Sequence, residues 1–206
     1  GTFLRGRKNE EHELELEALM AATPSTMLPL GTKIPEFSLP NAVDGRAMSP
    51  ADFRESVALV VMFICNHCPF VKHVTRELGA LARDYAPKRV GFIAINANDV
   101  AAYPDDAPDR MKELAQAEGW SFPFLYDETQ EVAKAFNAAC TPDFYVFNNE
   151  HKLVYRGQLD DSRPGNDVPV TGRDIRAALD AVLAGKEVPQ DQKPSIGCNI
   201  KWRIGG

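Results

Sequence analysis

Hydrophobic residues fall in short blocks whose spacing changes character along the chain. The run VALVVMFI, Val57 to Ile64, is rich in β-branched side chains and predicts a central strand buried on both faces. Immediately afterwards, in CNHCPFVKHVTRELGALARDYA (Cys65 to Ala86), Val71, Val74, Leu78 and Leu81 recur at the spacing of an amphipathic helix. Val90 to Ile95 predicts a second strand, followed by a polar, proline-bearing connection and a helix from about Asp109 to Glu118. Phe122 to Asp127 reads as extended, Glu128 to Ala138 as helical, and Asp143 to Asn148 as a strand. Lys152 to Arg156 forms the return arm of a hairpin, and Asp174 to Leu183 a covering helix that ends near Gly185. Ahead of the central strand, Phe37 and Leu39 alternate before a turn at Asp44 and Gly45, and Met48 to Phe53 lead back into the fold. Strands alternating with helices predict an α/β domain over residues 31–189.

Both ends read as extensions. Residues 1–30 contain a possible short helix, Glu10 to Ala22, with Leu14, Leu16, Leu19 and Met20 on one side and no catalytic motif. Pro24, Pro29 and Pro35 then interrupt regular helix. Residues 190–206 read as a tail with little room for another packed element.

Composition narrows the function classes. The chain has 206 residues, of which 44% are hydrophobic and 25% charged, and a formal charge of −6, which suits one globular domain with added arms. Its Lys and Arg residues are scattered among acidic ones, so no nucleic-acid partner is expected. No apolar run reaches the roughly 18–20 residues that span a bilayer, and the amino-terminal stretch is too charged for a secretory segment; no membrane association and a cytoplasmic location are expected. Rossmann and Walker glycine patterns are absent, so no nucleotide or flavin cofactor is implied. Asp105, Asp106 and Asp109 read as a solvated acidic surface.

Cys65 and Cys68 carry the strongest chemical signal. Two intervening residues allow an intrachain disulfide at the carboxyl end of a strand and the amino end of a helix, where free N–H groups favour a thiolate. One thiolate attacks a partner disulfide, and the second then releases the reduced partner and closes the local bridge. Cys65, at the helix tip, is the expected attacking residue and Cys68, within the first turn, the resolving one; the reverse order stays open. His67 is placed to support a thiolate electrostatically, Asn66 to shape the loop and Pro69 to start the helix. His73 reads as a partly solvated helix residue. Cys140 reads as a small buried thiol with an accessory redox role open to it, and Cys198, in SIGCNIKW, as a tail cysteine able to trap a mixed disulfide or join two protomers. A non-redox module in which Cys65, Cys68, His67 and His73 hold a metal remains the different-class alternative, although these residues fit a closed tetrahedral site weakly and no metal is expected.

The motif CNHCPFVKH after VALVVMFI, with CTPDFYVF far downstream, resembles thioredoxin-fold proteins of the redoxin or peroxiredoxin-like branch. The resemblance covers about Gly31 to Pro189 and implies a mixed central sheet flanked by helices, with the redox pair facing a cis-proline loop. It assigns that proline to Pro142 and places the backbone of Thr141 where an extended partner segment would pair. It also implies a thiol–disulfide oxidoreductase whose partner is a protein disulfide or a low-molecular-weight thiol or disulfide. The peroxidatic pattern P-x-x-x-T-x-x-C is broken, because Val61 and Cys65 stand where its proline and threonine would be, with Cys68 at the peroxidatic position. A hydroperoxidase using Cys68, resolved by Cys65 or Cys198, is therefore the second enzymatic reading, and a homodimer is compatible with either.

Overall fold

A computed structural model of the chain describes residues 6–10, 12–13 and 21–205. The apolar positions expected in an amino-terminal helix, Leu14, Leu16, Leu19 and Met20, lie outside the described residues. In chain order the strands are β1 (Thr23–Pro24), β2 (Leu39–Pro40), β3 (Ala47–Met48), β4 (Ala58–Phe63), β5 (Val90–Asn96), β6 (Phe124–Tyr126), β7 (Cys140–Thr141), β8 (Asp143–Asn148), β9 (Leu153–Gly157) and β10 (Ile196–Asn199). Residues 6–10 and 12–13 are helical, and the helices that follow are α1 (Pro69–Lys72), α2 (Thr75–Tyr85), α3 (Pro108–Glu118), α4 (Glu131–Ala135) and α5 (Arg173–Leu183), joined in places by short 3₁₀ turns.

The apolar run at β4 occupies the middle of a five-stranded sheet of order β6-β5-β4-β8-β9. β4 runs parallel to β5 and antiparallel to β8, and all six of its residues are buried. Alternate side chains feed two cores. Val60 and Met62 pack with Leu78, Leu81, Met111, Ile175 and Leu179 from α2, α3 and α5. Leu59, Val61 and Phe63 pack on the opposite face with Val132, Phe136, Tyr145 and Phe147. Each fully buried aliphatic or aromatic side chain here contributes ~1.5–3 kcal/mol. This is a thioredoxin-like α/β fold, with a mixed sheet covered on both sides.

Register decides what gathers at the end of this sheet. Phe63 pairs with Ile95 on one side and with Asp143 on the other. The segments that follow Phe63, follow β5 and precede Asp143 therefore share one edge: the CNHC loop, the polar 97–107 connection and the Thr141–Pro142 step.

Two elements depart from the expectation. The helix after the cysteines is in two pieces, because Val74 leaves helical geometry (φ −115°, ψ 0°) between α1 and α2; both pieces still bury the predicted face of Val71, Val74, Leu78 and Leu81. The carboxyl tail does contain a packed element. β10 pairs antiparallel with β7 and with β1, forming a three-stranded sheet of order β1-β10-β7 from residues far apart in sequence. A four-residue strand with glycine in second place falls below what periodicity detects.

Candidate active site

Each side of the site is supplied by one of the segments that register brings together. β4 delivers Cys65 at its carboxyl end, and Cys68 forms the N-cap of α1, its carbonyl accepting from Val71 N at 3.0 Å and Lys72 N at 2.9 Å. Pro69 fills the first helical position, where its missing N–H costs nothing. Cys68 therefore precedes the helix rather than lying within its first turn.

The loop between the cysteines is held by one buried carboxylate. Asp106 Oδ1 accepts from the backbone N–H groups of Asn66 (2.8 Å) and His67 (3.2 Å), while Oδ2 meets His67 Nδ1 and accepts from Asn98 Nδ2 (3.0 Å). Asn66 Nδ2 donates to the Asp105 carbonyl at 3.0 Å, and the His67 ring stacks on Tyr103 with centroids 5.3 Å apart. Burial alone would raise the Asp106 carboxyl; the bond and charge of His67, then Asn98 and the Asn66 N–H, outweigh it and hold the group below the usual carboxylate range. The expectation of a solvated acidic surface fails for Asp106, which has no exposed area, while Asp105 and Asp109 are exposed. The parallel pairing of β4 and β5 explains the difference, since it places the loop after β5 against the loop after β4.

The opposite wall is the Thr141–Pro142 step, whose peptide bond is cis. Thr141 Oγ1 lies 3.6 Å from Cys65 Sγ, and its carbonyl oxygen lies 3.4 Å from Cys68 Sγ. The Thr141 edge that the resemblance offered to a partner segment is already taken: Cys198 of β10 stands in register with Thr141. This brings Cys198 Sγ to 2.7 Å from Cys68 Sγ, so three thiols share one site. Ile196, Cys198 and Ile200 alternate here, too short a pattern to announce the strand by itself.

The three sulfurs do not ionise alike. Burial pushes the Cys65 thiol well above its ordinary value, reinforced by its hydrogen bond to Cys68 and by the charges of Cys68 and Asp106. Burial opposes ionisation of Cys68 as well, but hydrogen bonds from Cys198, Cys65 and Thr141, with the Val71 N–H, more than offset it and hold Cys68 far below the ordinary thiol range. Cys198 is raised, first by its bond to Cys68 and then by burial. The lowered thiol, Cys68, thus lies between two raised ones, Cys65 and Cys198.

Comparison with known proteins fits this geometry: the sequence model of the Redoxin family matches residues 29–175. The chain belongs to the Redoxin family. Its function is thiol-based redox chemistry. Among solved structures, an uncharacterized conserved protein from Geobacillus kaustophilus is 60% identical with a TM-score of 0.88, covering 90% of this redoxin and 98% of that chain. A hypothetical protein from Sinorhizobium meliloti is 50% identical with a TM-score of 0.87, covering 89% and 100% of the two chains. A curated protein of Mycobacterium tuberculosis named "Putative peroxiredoxin" is 32% identical over 116 residues, which is 56% of this redoxin and 68% of that protein.

Other expected residues lie at or beyond the margin of the redoxin site. Cys140 is fully buried, with Sγ 3.8 Å from the Pro142 carbonyl oxygen; burial, then the nearby Asp143 charge, raises its thiol. His73 Nε2 lies 2.7 Å from Ser162 Oγ, so it is engaged away from the dithiol. Among the described residues, the group able to offer metal ligands is instead Cys65, His67 and Asp106, whose donor atoms lie within 4.8 Å of one another. Two of these three, His67 and Asp106, already satisfy each other. Among the described residues, no helix is long and apolar enough to cross a membrane.

Proposed function

We propose that this protein is a thiol–disulfide oxidoreductase in which Cys68 is the attacking thiolate and Cys65 the thiol that closes the bridge. The observation that carries the reading is the asymmetry of the pair: Cys68 caps a helix and collects donors, whereas Cys65 is buried beside the negative charge of Asp106. This reverses the order expected from position at the helix tip. Cys68 displaces one sulfur of a partner disulfide, and Cys65 then attacks Cys68 Sγ, releasing the second partner thiol and leaving a Cys65–Cys68 disulfide. The partner is a protein disulfide or a low-molecular-weight disulfide. The reading carries a cytoplasmic setting, where thiols are returned to the reduced state between turnovers.

Reaction of Cys68 with a hydroperoxide is the second reading, favoured by the position of this residue in the broken peroxidatic pattern and by the name of the curated relative. Disulfide exchange and peroxide consumption measured in parallel for the wild type, Cys65→Ser and Cys68→Ser decide between them. The proposal expects Cys68→Ser to lose exchange by at least about a thousandfold, a loss of ~4 kcal/mol in transition-state stabilisation, and Cys65→Ser to keep the first attack on the partner without forming the Cys65–Cys68 disulfide. Exchange that survives Cys68→Ser would overturn it, and fast peroxide consumption with negligible exchange would install the second reading. A metal retained stoichiometrically by the purified protein and lost on cysteine substitution would favour a non-redox module.

A further inference from the structure

We propose that Cys198 is a third redox thiol, held by β10 so that Cys68 and Cys198 form an intrachain disulfide during turnover. The proposal rests on the reading of Cys68 as the attacking thiolate and adds the group that meets the bond Cys68 has made.

The placement of Cys198 is built in from both flanks. Before it, Ser195 N donates to Ser25 Oγ at 2.8 Å and Ser195 Oγ to the Pro142 carbonyl at 2.5 Å. After it, Ile200 N donates to the Ala139 carbonyl (3.0 Å), Lys201 N to Asn98 Oδ1 (2.9 Å) and Arg203 N to Gln130 Oε1 (3.0 Å), while Gln130 Nε2 donates to the Lys201 carbonyl (2.9 Å). Between these anchors, β10 approaches the cis-proline step so closely that a Cβ on Gly197 would fall 1.9 Å from Thr141 O and 3.1 Å from Pro142 N. Only glycine allows that approach, and the approach sets Cys198 Sγ at 2.7 Å from Cys68 Sγ. A cysteine merely packed in a core requires neither a glycine contact nor a ladder of anchors directed at the reactive loop.

The chemistry closes without a further reagent beyond a disulfide. The Cys68 thiolate attacks a low-molecular-weight disulfide R–S–S–R, whose sulfur–sulfur bond breaks as Cys68–S–S–R forms and R–S⁻ leaves. Cys198 sulfur then attacks Cys68 Sγ, its proton passing to the second departing R–S⁻, and the Cys68–Cys198 disulfide forms. Two electrons have moved from the protein to the reagent, which ends as two R–SH once the first thiolate takes a proton from water. Cys65 attack on Cys68 Sγ then moves the bond to Cys65–Cys68 and restores the Cys198 thiol, with no net change in oxidation state. Cys198 is 7% exposed while Cys65 and Cys68 are 1% and 0% exposed, so the Cys68–Cys198 form places a disulfide sulfur nearest solvent, where an external thiol reduces it.

The test is a trapping experiment on the full chain. Reduced wild type, Cys65→Ser and Cys65→Ser/Cys198→Ser are mixed with one equivalent of hydroxyethyl disulfide, quenched in acid at successive times, alkylated and mapped by peptide mass spectrometry. Cys65→Ser is expected to accumulate the Cys68–Cys198 disulfide in near-stoichiometric yield, and the double variant a hydroxyethyl adduct on Cys68. Circular dichroism checks the fold, with Cys65→Ala as the alternative trap. If Cys65→Ser keeps the adduct on Cys68 while Cys198 remains alkylatable, the role of Cys198 is overturned and Cys68 stands as the nucleophile. If Cys68 carries neither adduct nor disulfide in any variant, the failure lies in the underlying reading and takes the proposal with it.

Discussion

Two buried aspartates on either side of the dithiol respond to pH with opposite sign. Asp106 is held below its ordinary range, so its stabilising contribution is complete above the unfolded carboxylate pKa and is lost as pH falls through the lower folded value. Asp106→Ala leaves the Asn66 and His67 N–H groups and Asn98 Nδ2 without their acceptor, and is expected to cost ~3 kcal/mol in urea unfolding at neutral pH and to slow exchange. Asp143, directly after the cis-proline step, is pushed up to about 7 by burial against the bonds from Ser25, Tyr145 and Phe144 N. Between the ordinary carboxylate range and about 7 the folded state binds more protons than the unfolded one, so this residue makes stability fall as pH rises, by up to ~1.4 kcal/mol per unit. Asp143→Asn is expected to flatten that limb, as unfolding free energies at about pH 5 and about pH 8 would show; a slope unchanged by the substitution would refute the assignment. At this scale spacing and local context mark Cys65 and Cys68 in the sequence, while Pro142 was assigned by the family resemblance. Asp106 was hidden, since its importance comes from the parallel pairing of two strands and not from its DDAPD surroundings.

Among the elements, β10 depends most on a single position. Gly197→Ala drives a methyl group into the Thr141 carbonyl and must lift the strand. The expected result is at least roughly tenfold faster alkylation of Cys198 by iodoacetamide, because burial and the bond to Cys68 both slow it in the wild type. Alkylation at the wild-type rate would show that the contact is not needed to seat the strand. Long elements were legible because their periodicity is strong: β4 as an apolar run, α5 as an amphipathic turn-by-turn pattern, β8 as DFYVFN. β1 and β7 have only two residues each and owe their existence to pairing with β10, which no local pattern announces.

For the molecule as a whole, the central sheet and the small β1-β10-β7 sheet play different parts. The first was recoverable from alternation of strand and helix, since its core residues are consecutive and apolar. The second joins segments on either side of that core, and a reading in terms of a domain with two extensions could not see it. Deleting residues 194–206 removes β10 along with buried Ser195, Cys198 and Ile200, and is expected to lower Tm by about 10 °C and to leave the β1 and β7 edges unpaired. Differential scanning calorimetry and light scattering would read both effects; an unchanged Tm and a monodisperse truncated protein would contradict the structural role assigned to the strand.

Synthesis from the amino end gives the position of β10 a temporal meaning. Cys68 is made 130 residues before Cys198, and the elements of the central sheet are complete before the strand that covers the thiols exists. From the synthesis of Thr141 until that of Cys198, the chain carries the CNHC loop and the cis-proline segment with no third thiol in place. Cys198 is thus the last of the three thiols to be made, and until then the dithiol meets outside thiols and disulfides without its third member.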